Sequence, residues 1–263
     1  MRRNNPEKRS TTIILSGLVL EINMTSRDRS EDVIVFLHGL GCSSASFDHV
    51  WDCPEMEEYS IFCMDYVGHG ASAASDQFSY SIEDHASVCA AALAAYQNRP
   101  IHLVGHSLGG AIALLLPDSI RDSIVSFANV EGNLNAEDCV FGSRRAAEKS
   151  FDEFLSECLP GLLKSSTAWR DAGLDVVNPD AFYRTARSLV AWSDQTKLLK
   201  AFHSWPRKKA YFYGSENSEH HTVSTVEGID RIEIPEAGHF VMNDNPDGFY
   251  SALFEFLRSD ESP

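Results

Sequence analysis

Residues 101–116 read IHLVGHSLGGAIALLL, a short apolar run, a glycine-rich turn and a second apolar run. The first run is typical of a buried parallel strand and the second of a buried helix. Between them, Gly105 to Gly109 have the G-x-S-x-G spacing centred on Ser107. A sharp strand-to-helix turn strains its central residue and needs small residues two before and two after it. The pattern therefore predicts a nucleophilic hydroxyl on Ser107 and a helix-terminal N–H on Leu108 that binds an oxyanion.

Strand patterns recur on both sides of this unit and alternate with helical patterns. They predict strands at 11–15, 18–24, 33–37, 60–64, 101–104, 124–130, 209–213 and 229–234, and helices at 46–50, 107–116 and 246–257, with further helix starts at Ser81 and Pro179. Alternation of this kind implies a mostly parallel sheet with helices on both faces. The predicted fold class is α/β, with eight strands.

Residues 132–205 form the exception, because they have helical patterns and no strand pattern. The sequence therefore predicts an α/β core from residues 1–131 and 206–263, with residues 132–205 inserted as a helical cap. We expect Ala147, Phe151, Phe154, Leu155 and Cys158 to share one helix face.

Composition and charge exclude several classes of protein. The 263 residues are 43% hydrophobic and 23% charged, which fits one large folded domain. A formal net charge of −16 disfavours nucleic acids and anionic membranes as partners. No apolar run reaches about 18 residues, so we expect no membrane span. The six cysteines show no CxxC pair and no metal-ligand spacing, which favours a reducing cytoplasm.

A serine hydroxyl needs a base to remove its proton. Gly238-His239-Phe240 follows the last predicted strand and precedes the last helix, so we expect His239 at the same sheet edge as Ser107. The other histidines fit this role less well: we expect His38 and His106 to support loops, His69 and His102 to be structural, and His49, His85, His203, His220 and His221 to be surface, helix or lid residues.

With these motifs the chain resembles the α/β-hydrolase superfamily over nearly its full length. Two further matches are His-Gly-Leu-Gly at 38–41 and Asp-Tyr-Val-Gly-His-Gly-Ala-Ser at 65–72. The resemblance implies a serine–histidine–acid triad and a second oxyanion N–H from Leu40. Serine at position 107 argues against the dehalogenases and epoxide hydrolases of this fold. No cofactor or metal is expected, because the chain has no dinucleotide fingerprint, P-loop or clustered metal-ligand motif.

The acid of the triad has two candidates in the sequence. Many relatives have an Asp three positions after a Gly that follows the strand before the histidine strand, but here that position is Asn217. An amide orients an imidazole without stabilising its charge. Glu131, at the end of strand 124–130, is our leading candidate, and Glu216 is the alternative acid. A salt bridge that anchors the lid would be a purely structural explanation of Glu131.

The expected activity is hydrolysis of carboxylic esters with small to medium apolar acyl or aromatic groups, through an acyl-enzyme. The same machinery would also suit a lactone or the carbon–carbon bond of a ring-cleavage product. A third hypothesis is a ligand-binding signalling protein with weak hydrolase activity; the oligomeric state stays open. We expect a minority of the cap rings to line the substrate pocket; these rings are Phe141, Phe151, Phe154, Trp169, Phe182, Tyr183, Trp192, Phe202 and Trp205.

Overall fold

The computed structural model describes residues 6–140, 142–165 and 172–259. Their eight strands form one sheet in the order β1-β2-β4-β3-β5-β6-β7-β8. The strands are β1 Glu7–Leu15, β2 Leu18–Arg27, β3 Val33–Leu37, β4 Ser60–Met64, β5 Ile101–His106, β6 Ile124–Val130, β7 Lys208–Gly214 and β8 Asp230–Ile234. Only the pairs β1–β2 and β2–β4 are antiparallel, and the other pairs are parallel. The predicted α/β class and mostly parallel eight-stranded sheet are confirmed.

Helices connect these strands. They are α1 Ile82–Leu93, α2 Leu108–Leu114, α3 Asp118–Arg121, α4 Ser143–Ala147, α5 Phe151–Glu153, α6 Leu159–Ser165, α7 Pro179–Ser193, α8 Lys197–His203, α9 His221–Thr225, α10 Val241–Asp244 and α11 Pro246–Arg258. Short 3₁₀ turns cover Ser44–Trp51, Pro54–Met56, Ala94–Tyr96, Ala136–Val140, Leu174–Val176 and Ser215–Asn217. The Ser81 hydroxyl caps α1 by accepting from the Asp84 N–H at 3.1 Å. In the described part of the chain, no helix is both long and apolar enough to cross a membrane.

Two apolar layers cover the sheet, because side chains of a strand point alternately to opposite faces. Val33, Val35 and Leu37 of β3 belong to the layer that contains α1 and α2. Ile34 and Phe36 belong to the layer that contains α11. The central strands are therefore buried on both faces, and functional side chains emerge only at the strand ends.

Between β6 and β7 the described residues form helices α4 to α8 and turns, with no strand. The shared face predicted for residues 147–158 holds for Phe151, Phe154 and Cys158, which pack in one apolar cluster, and is wrong for Ala147 and Leu155. The Ser150 hydroxyl starts a new helix after α4, and a π turn follows at Phe154–Cys158. An extra residue per turn rotates the following side chains, so Leu155 is 37% exposed while Phe154 is fully buried. Phe141 and Trp169 lie outside the described residues.

This helical segment packs against the loops that follow β3 and β4. The Asn178 N–H donates to the Gly68 carbonyl at 2.8 Å, and the Ser43 N–H donates to the Ala172 carbonyl at 2.7 Å. A Cβ atom on Gly41 would lie 2.7 Å from Leu174. The segment therefore covers the carboxyl edge of the sheet, where β5 ends.

Candidate active site

The turn between β5 and α2 holds Ser107 in a strained backbone conformation. Its φ is 51° and its ψ is −117°, a region that residues with a Cβ rarely adopt. A Cβ on Gly109 would lie 2.1 Å from the Leu37 carbonyl oxygen, and one on Gly105 would lie 2.7 Å from the Gly109 oxygen. Neighbouring backbone atoms therefore leave no room for a side chain at either flanking glycine. Leu108 is the first residue of α2, so its N–H has no partner within the helix.

The loop after β3 passes directly beside this turn. A Cβ on Gly39 would lie 3.3 Å from the Ser107 Cβ. In the described part of the chain, the Leu40 N–H makes no hydrogen bond. His38 braces the loop as predicted, since its Nε2 accepts from the Tyr66 N–H at 3.1 Å and its Nδ1 contacts the Gly39 oxygen at 2.8 Å. Two backbone N–H groups, of Leu40 and Leu108, are thus available near the serine.

His239 lies in the loop between β8 and α10, and its side chain is only 8% exposed. It lines the same small cavity as Ser107. His106 supports this loop, because its Nε2 contacts the His239 carbonyl oxygen at 2.9 Å and the two rings lie 4.8 Å apart. The His239 Nδ1 lies 3.6 Å from Oε2 of Glu131.

Glu131 directly follows β6 and is 7% exposed at its side chain. Its φ is 48°, which turns the chain sharply, and its N–H donates to the Phe212 carbonyl at 2.8 Å. Oε1 accepts from the Gly214 N–H at 2.8 Å and from Nδ2 of Asn217 at 3.1 Å. One carboxylate oxygen therefore faces β7 and the other faces His239.

Glu216, the alternative acid, lies on the 3₁₀ turn after β7 and is exposed. Its Oε2 would lie 3.0 Å from a Cβ on Gly238. The structure thus brings Ser107, His239 and Glu131 together with the N–H groups of Leu40 and Leu108, and leaves Glu216 at the surface of the histidine loop.

The cavity at Ser107 measures about 10 Å³, close to the space of one water molecule. It is lined by Leu40, Ser107, Asn133, Asp138, Ser143, Leu189 and His239. No described aromatic ring of residues 132–205 lines this one cavity; Phe154 and Phe182, for example, stack on each other with centroids 5.4 Å apart. Of the residues that sequence reasoning missed, Asn133 had one signal, its position two residues after Glu131 at the end of a buried strand.

The sequence profile of the alpha/beta hydrolase family matches residues 34–252. This chain belongs to that family. Among curated relatives of this α/β-hydrolase, a putative esterase/lipase 2 of Mycoplasma pneumoniae is 28% identical over 123 residues, which are 47% of this chain and 46% of the relative. This chain thus spans less than half the length of that relative.

Two other relatives match more of the chain. Protein phosphatase methylesterase 1 of Candida albicans is 26% identical over 254 residues, covering 86% of this chain and 68% of that protein. A 2-succinyl-6-hydroxy-2,4-cyclohexadiene-1-carboxylate synthase of Enterobacter sp. is 25% identical over 245 residues, covering 86% and 91%.

Solved structures support the same fold. An esterase from Exiguobacterium antarcticum superposes with a TM-score of 0.75 at 16% identity, covering 95% of this chain and all of that chain. An N-acyl homoserine lactonase superposes with a TM-score of 0.74 at 16% identity, covering 95% and 97%. At this identity the likeness concerns the fold alone.

In this α/β-hydrolase, Asp138 shapes the turn that carries Asn133. The Asp138 carboxylate accepts from the Leu134 N–H at 2.7 Å and the Asn135 N–H at 2.9 Å, and the Thr222 hydroxyl also donates to it. Burial raises the pKa of Asp138, and these hydrogen bonds oppose that shift. Because Nδ2 of Asn133 donates to the Asp138 carbonyl at 2.9 Å, its Oδ1 faces Ser107 and accepts from the hydroxyl at 3.3 Å.

Beside the Leu40 loop, three imidazoles are fully buried in one cluster. His69 lies with ring centroids 5.6 Å from His38 and 6.1 Å from His85. Burial lowers the pKa of His38 to about 4, although the Asp65 carboxylate opposes the shift, and it lowers the pKa of His69 to about 3. Burial and the two neighbouring imidazoles lower the pKa of His85 further below its usual value. His85 lies on helix α1, one of the places expected from its sequence, but it is buried in the core and not at the surface.

We predict that this cluster makes the fold sensitive to acid. An unfolded histidine binds its proton near pH 6.5, whereas these folded imidazoles stay neutral to pH 4 or below. The unfolded state therefore binds more protons as the pH falls below 6.5, and each histidine lowers the free energy of unfolding by about 1.4 kcal/mol per pH unit. The free energy of unfolding, measured by urea denaturation at pH 7.5, 6.0 and 5.0, tests this prediction.

His85→Gln tests the assignment, because it keeps a donor for Thr185, which lies 3.1 Å from the His85 Nε2. We expect it to reduce the slope of stability against pH by about one proton. The exposed His49→Gln is the control and leaves the slope unchanged. An identical slope in wild type and His85→Gln would contradict the prediction.

Proposed function

We propose that this α/β-hydrolase cleaves carboxylic esters of small to medium apolar acyl or aromatic groups through an acyl-enzyme. Ser107 is the nucleophile, His239 the base and Glu131 the acid. The observation that supports the proposal is the 3.6 Å approach of Glu131 Oε2 to His239 Nδ1, at a histidine that shares its cavity with Ser107. A nucleophile, a base and a group that orients the base are the parts that acyl transfer requires.

In the proposed reaction, the Ser107 oxygen attacks the ester carbonyl while its proton passes to His239. The N–H groups of Leu40 and Leu108 stabilise the oxyanion that forms. His239 then gives the proton to the departing alcohol, which leaves Ser107 acylated. A water molecule, deprotonated by His239, attacks the acyl-enzyme, and release of the carboxylic acid restores the serine. Glu131 holds the imidazole and balances its positive charge throughout.

In the resting state, the Ser107 hydroxyl donates to Asn133, so the proposed attack requires it to rotate toward His239. Among the described residues, the cavity at Ser107 is also smaller than an ester. We therefore propose that residues 132–205 act as a cap that shifts relative to the core, residues 1–131 and 206–263, to admit substrate. The small volume of the cavity favours the small end of the acyl range.

A panel of p-nitrophenyl esters tests this function. We expect kcat/KM to be highest for the acetate, to be measurable for the butyrate, and to fall at least about tenfold for the octanoate, because each further methylene must displace cap side chains. An octanoate that is hydrolysed faster than the acetate would contradict the small acyl site. Stoichiometric acylation without turnover would overturn the hydrolase proposal and favour a ligand-binding signalling protein.

A lactone, or the carbon–carbon bond of a ring-cleavage product, is the second candidate substrate class. One observation keeps this class open: a relative that is named a cyclohexadiene-carboxylate synthase, and not an esterase, is matched over 91% of its length. The same nucleophile and base would act on either bond. Turnover of N-acyl homoserine lactones or dienoic acids at a higher kcat/KM than any ester of the panel would select this alternative.

A further inference from the structure

Asn217 stands where many relatives of the chain carry the triad acid, and the structure gives it a defined contact. Its Nδ2 donates to Oε1 of Glu131 at 3.1 Å, across 86 residues of sequence. The side chain is partly buried, and its 3₁₀ turn continues β7, which pairs with β6. The amide therefore contacts the carboxylate that lies at the end of the neighbouring strand.

The two oxygens of Glu131 have different environments. Oε1 accepts two N–H groups, from Gly214 and Asn217, and Oε2 faces the His239 imidazole. A glutamate side chain has three rotatable bonds, so a single backbone N–H would leave the carboxylate plane able to turn. The second donor restrains that plane and directs Oε2 toward Nδ1.

We propose that Asn217 is a positioning residue that orients Glu131 against His239. The inference rests on the proposed function of Glu131 as the triad acid. If Asn217 has this role, Asn217→Asp impairs the site, although many relatives have an aspartate at this position. An N–H donor at this position complements the Glu131 carboxylate, whereas a second carboxylate would not.

Asn217→Asp keeps the size and shape of the side chain and replaces the donor by a charged oxygen. Two carboxylate oxygens about 3 Å apart repel each other or share a proton. The histidine loop already carries negative charge, because the carboxylates of Glu216 and Asp244 lie 3.0 and 3.6 Å from the Cβ position of Gly238. Glu131 is then displaced from the imidazole.

The experiment is a double-mutant cycle of Asn217→Asp and Glu131→Gln. Two readouts are used: kcat and KM for p-nitrophenyl acetate, and the second-order rate at which a fluorophosphonate labels Ser107. In the labelling step the serine oxygen displaces fluoride from phosphorus and the proton passes to His239. This second readout reports activation of the serine without depending on an ester substrate.

We expect Asn217→Asp alone to lower kcat and the labelling rate about 100-fold with KM nearly unchanged, since a hydrogen bond to a charged group is replaced by repulsion. In the Glu131→Gln background the same change costs less than about twofold, because the amide introduced by Glu131→Gln carries no charge and donates to the new carboxylate. If Asn217→Asp does not fold, Asn217→Ala is used instead. We expect Asn217→Ala to lower kcat and the labelling rate about tenfold in the wild-type background, and to cost less than about twofold in the Glu131→Gln background.

Asn98→Asp is the matched control, since it adds the same charge at an exposed position and leaves both rates unchanged. A wild-type rate in Asn217→Asp, or an equal fold loss in both backgrounds, overturns the positioning role. Wild-type protein that neither turns over esters nor is labelled overturns the proposed function, and this inference with it. Normal wild-type turnover with additive variants overturns the inference alone.

Discussion

Ser107→Ala is expected to reduce kcat/KM for p-nitrophenyl acetate by about 10⁵- to 10⁶-fold. The loss is this large because the variant has no oxygen to form the acyl-enzyme, and only the oxyanion N–H groups and substrate binding remain. The backbone strain at position 107 is unchanged, since alanine also has a Cβ at a φ of 51°. We therefore expect the melting temperature to stay close to that of the wild type.

The control is Ser218→Ala, which removes an exposed hydroxyl from the turn after β7 and keeps full activity. If Ser107→Ala retains more than a few per cent of wild-type turnover, another residue is the nucleophile. In that case the serine at the sharp turn is structural, and the proposed mechanism is wrong.

Glu131→Gln is expected to lower kcat by about 10⁴-fold, the scale of an acid-to-amide change at the third triad position. Neither orientation of the side-chain amide introduced by this substitution satisfies all of its neighbours. On one side it meets two N–H donors, from Gly214 and Asn217, and on the other it meets Nδ1 of His239. Whichever way the amide turns, its NH₂ group faces a donor, and the imidazolium loses its counter-charge.

Glu216→Gln is the comparison that shows which of the two carboxylates is the triad acid. This carboxylate is exposed, so we expect kcat within about twofold of the wild type. The reverse result, full activity in Glu131→Gln and loss in Glu216→Gln, would assign the acid to Glu216. Glu131 would then be a structural contact between β6, β7 and the histidine loop.

Local sequence patterns predicted the elements that depend on neighbouring residues. The buried runs Val33–Leu37, Ser60–Met64 and Ile124–Val130 coincide with β3, β4 and β6. Each has a neighbouring strand on both sides in the sheet, where burial on both faces favours a mostly apolar run. Predictions failed where packing overrides the local pattern. Leu155 has an apolar side chain but lies exposed in a π turn, and His85 lies on a helix but is fully buried, which excludes the surface position that its sequence also allowed.

The amino-acid sequence alone was enough to predict a strand, a tight glycine turn and a helix around Ser107, because backbone sterics act over a few residues. It also identified His239 and Glu131 as candidates from their places at strand ends. Only the tertiary structure decided what Asn217 does, since its contact with Glu131 spans 86 residues. The same holds for the cavity of about 10 Å³ and its polar lining. Such contacts depend on the register of β6 against β7 and on how residues 132–205 pack against the sheet edge, which no local pattern encodes.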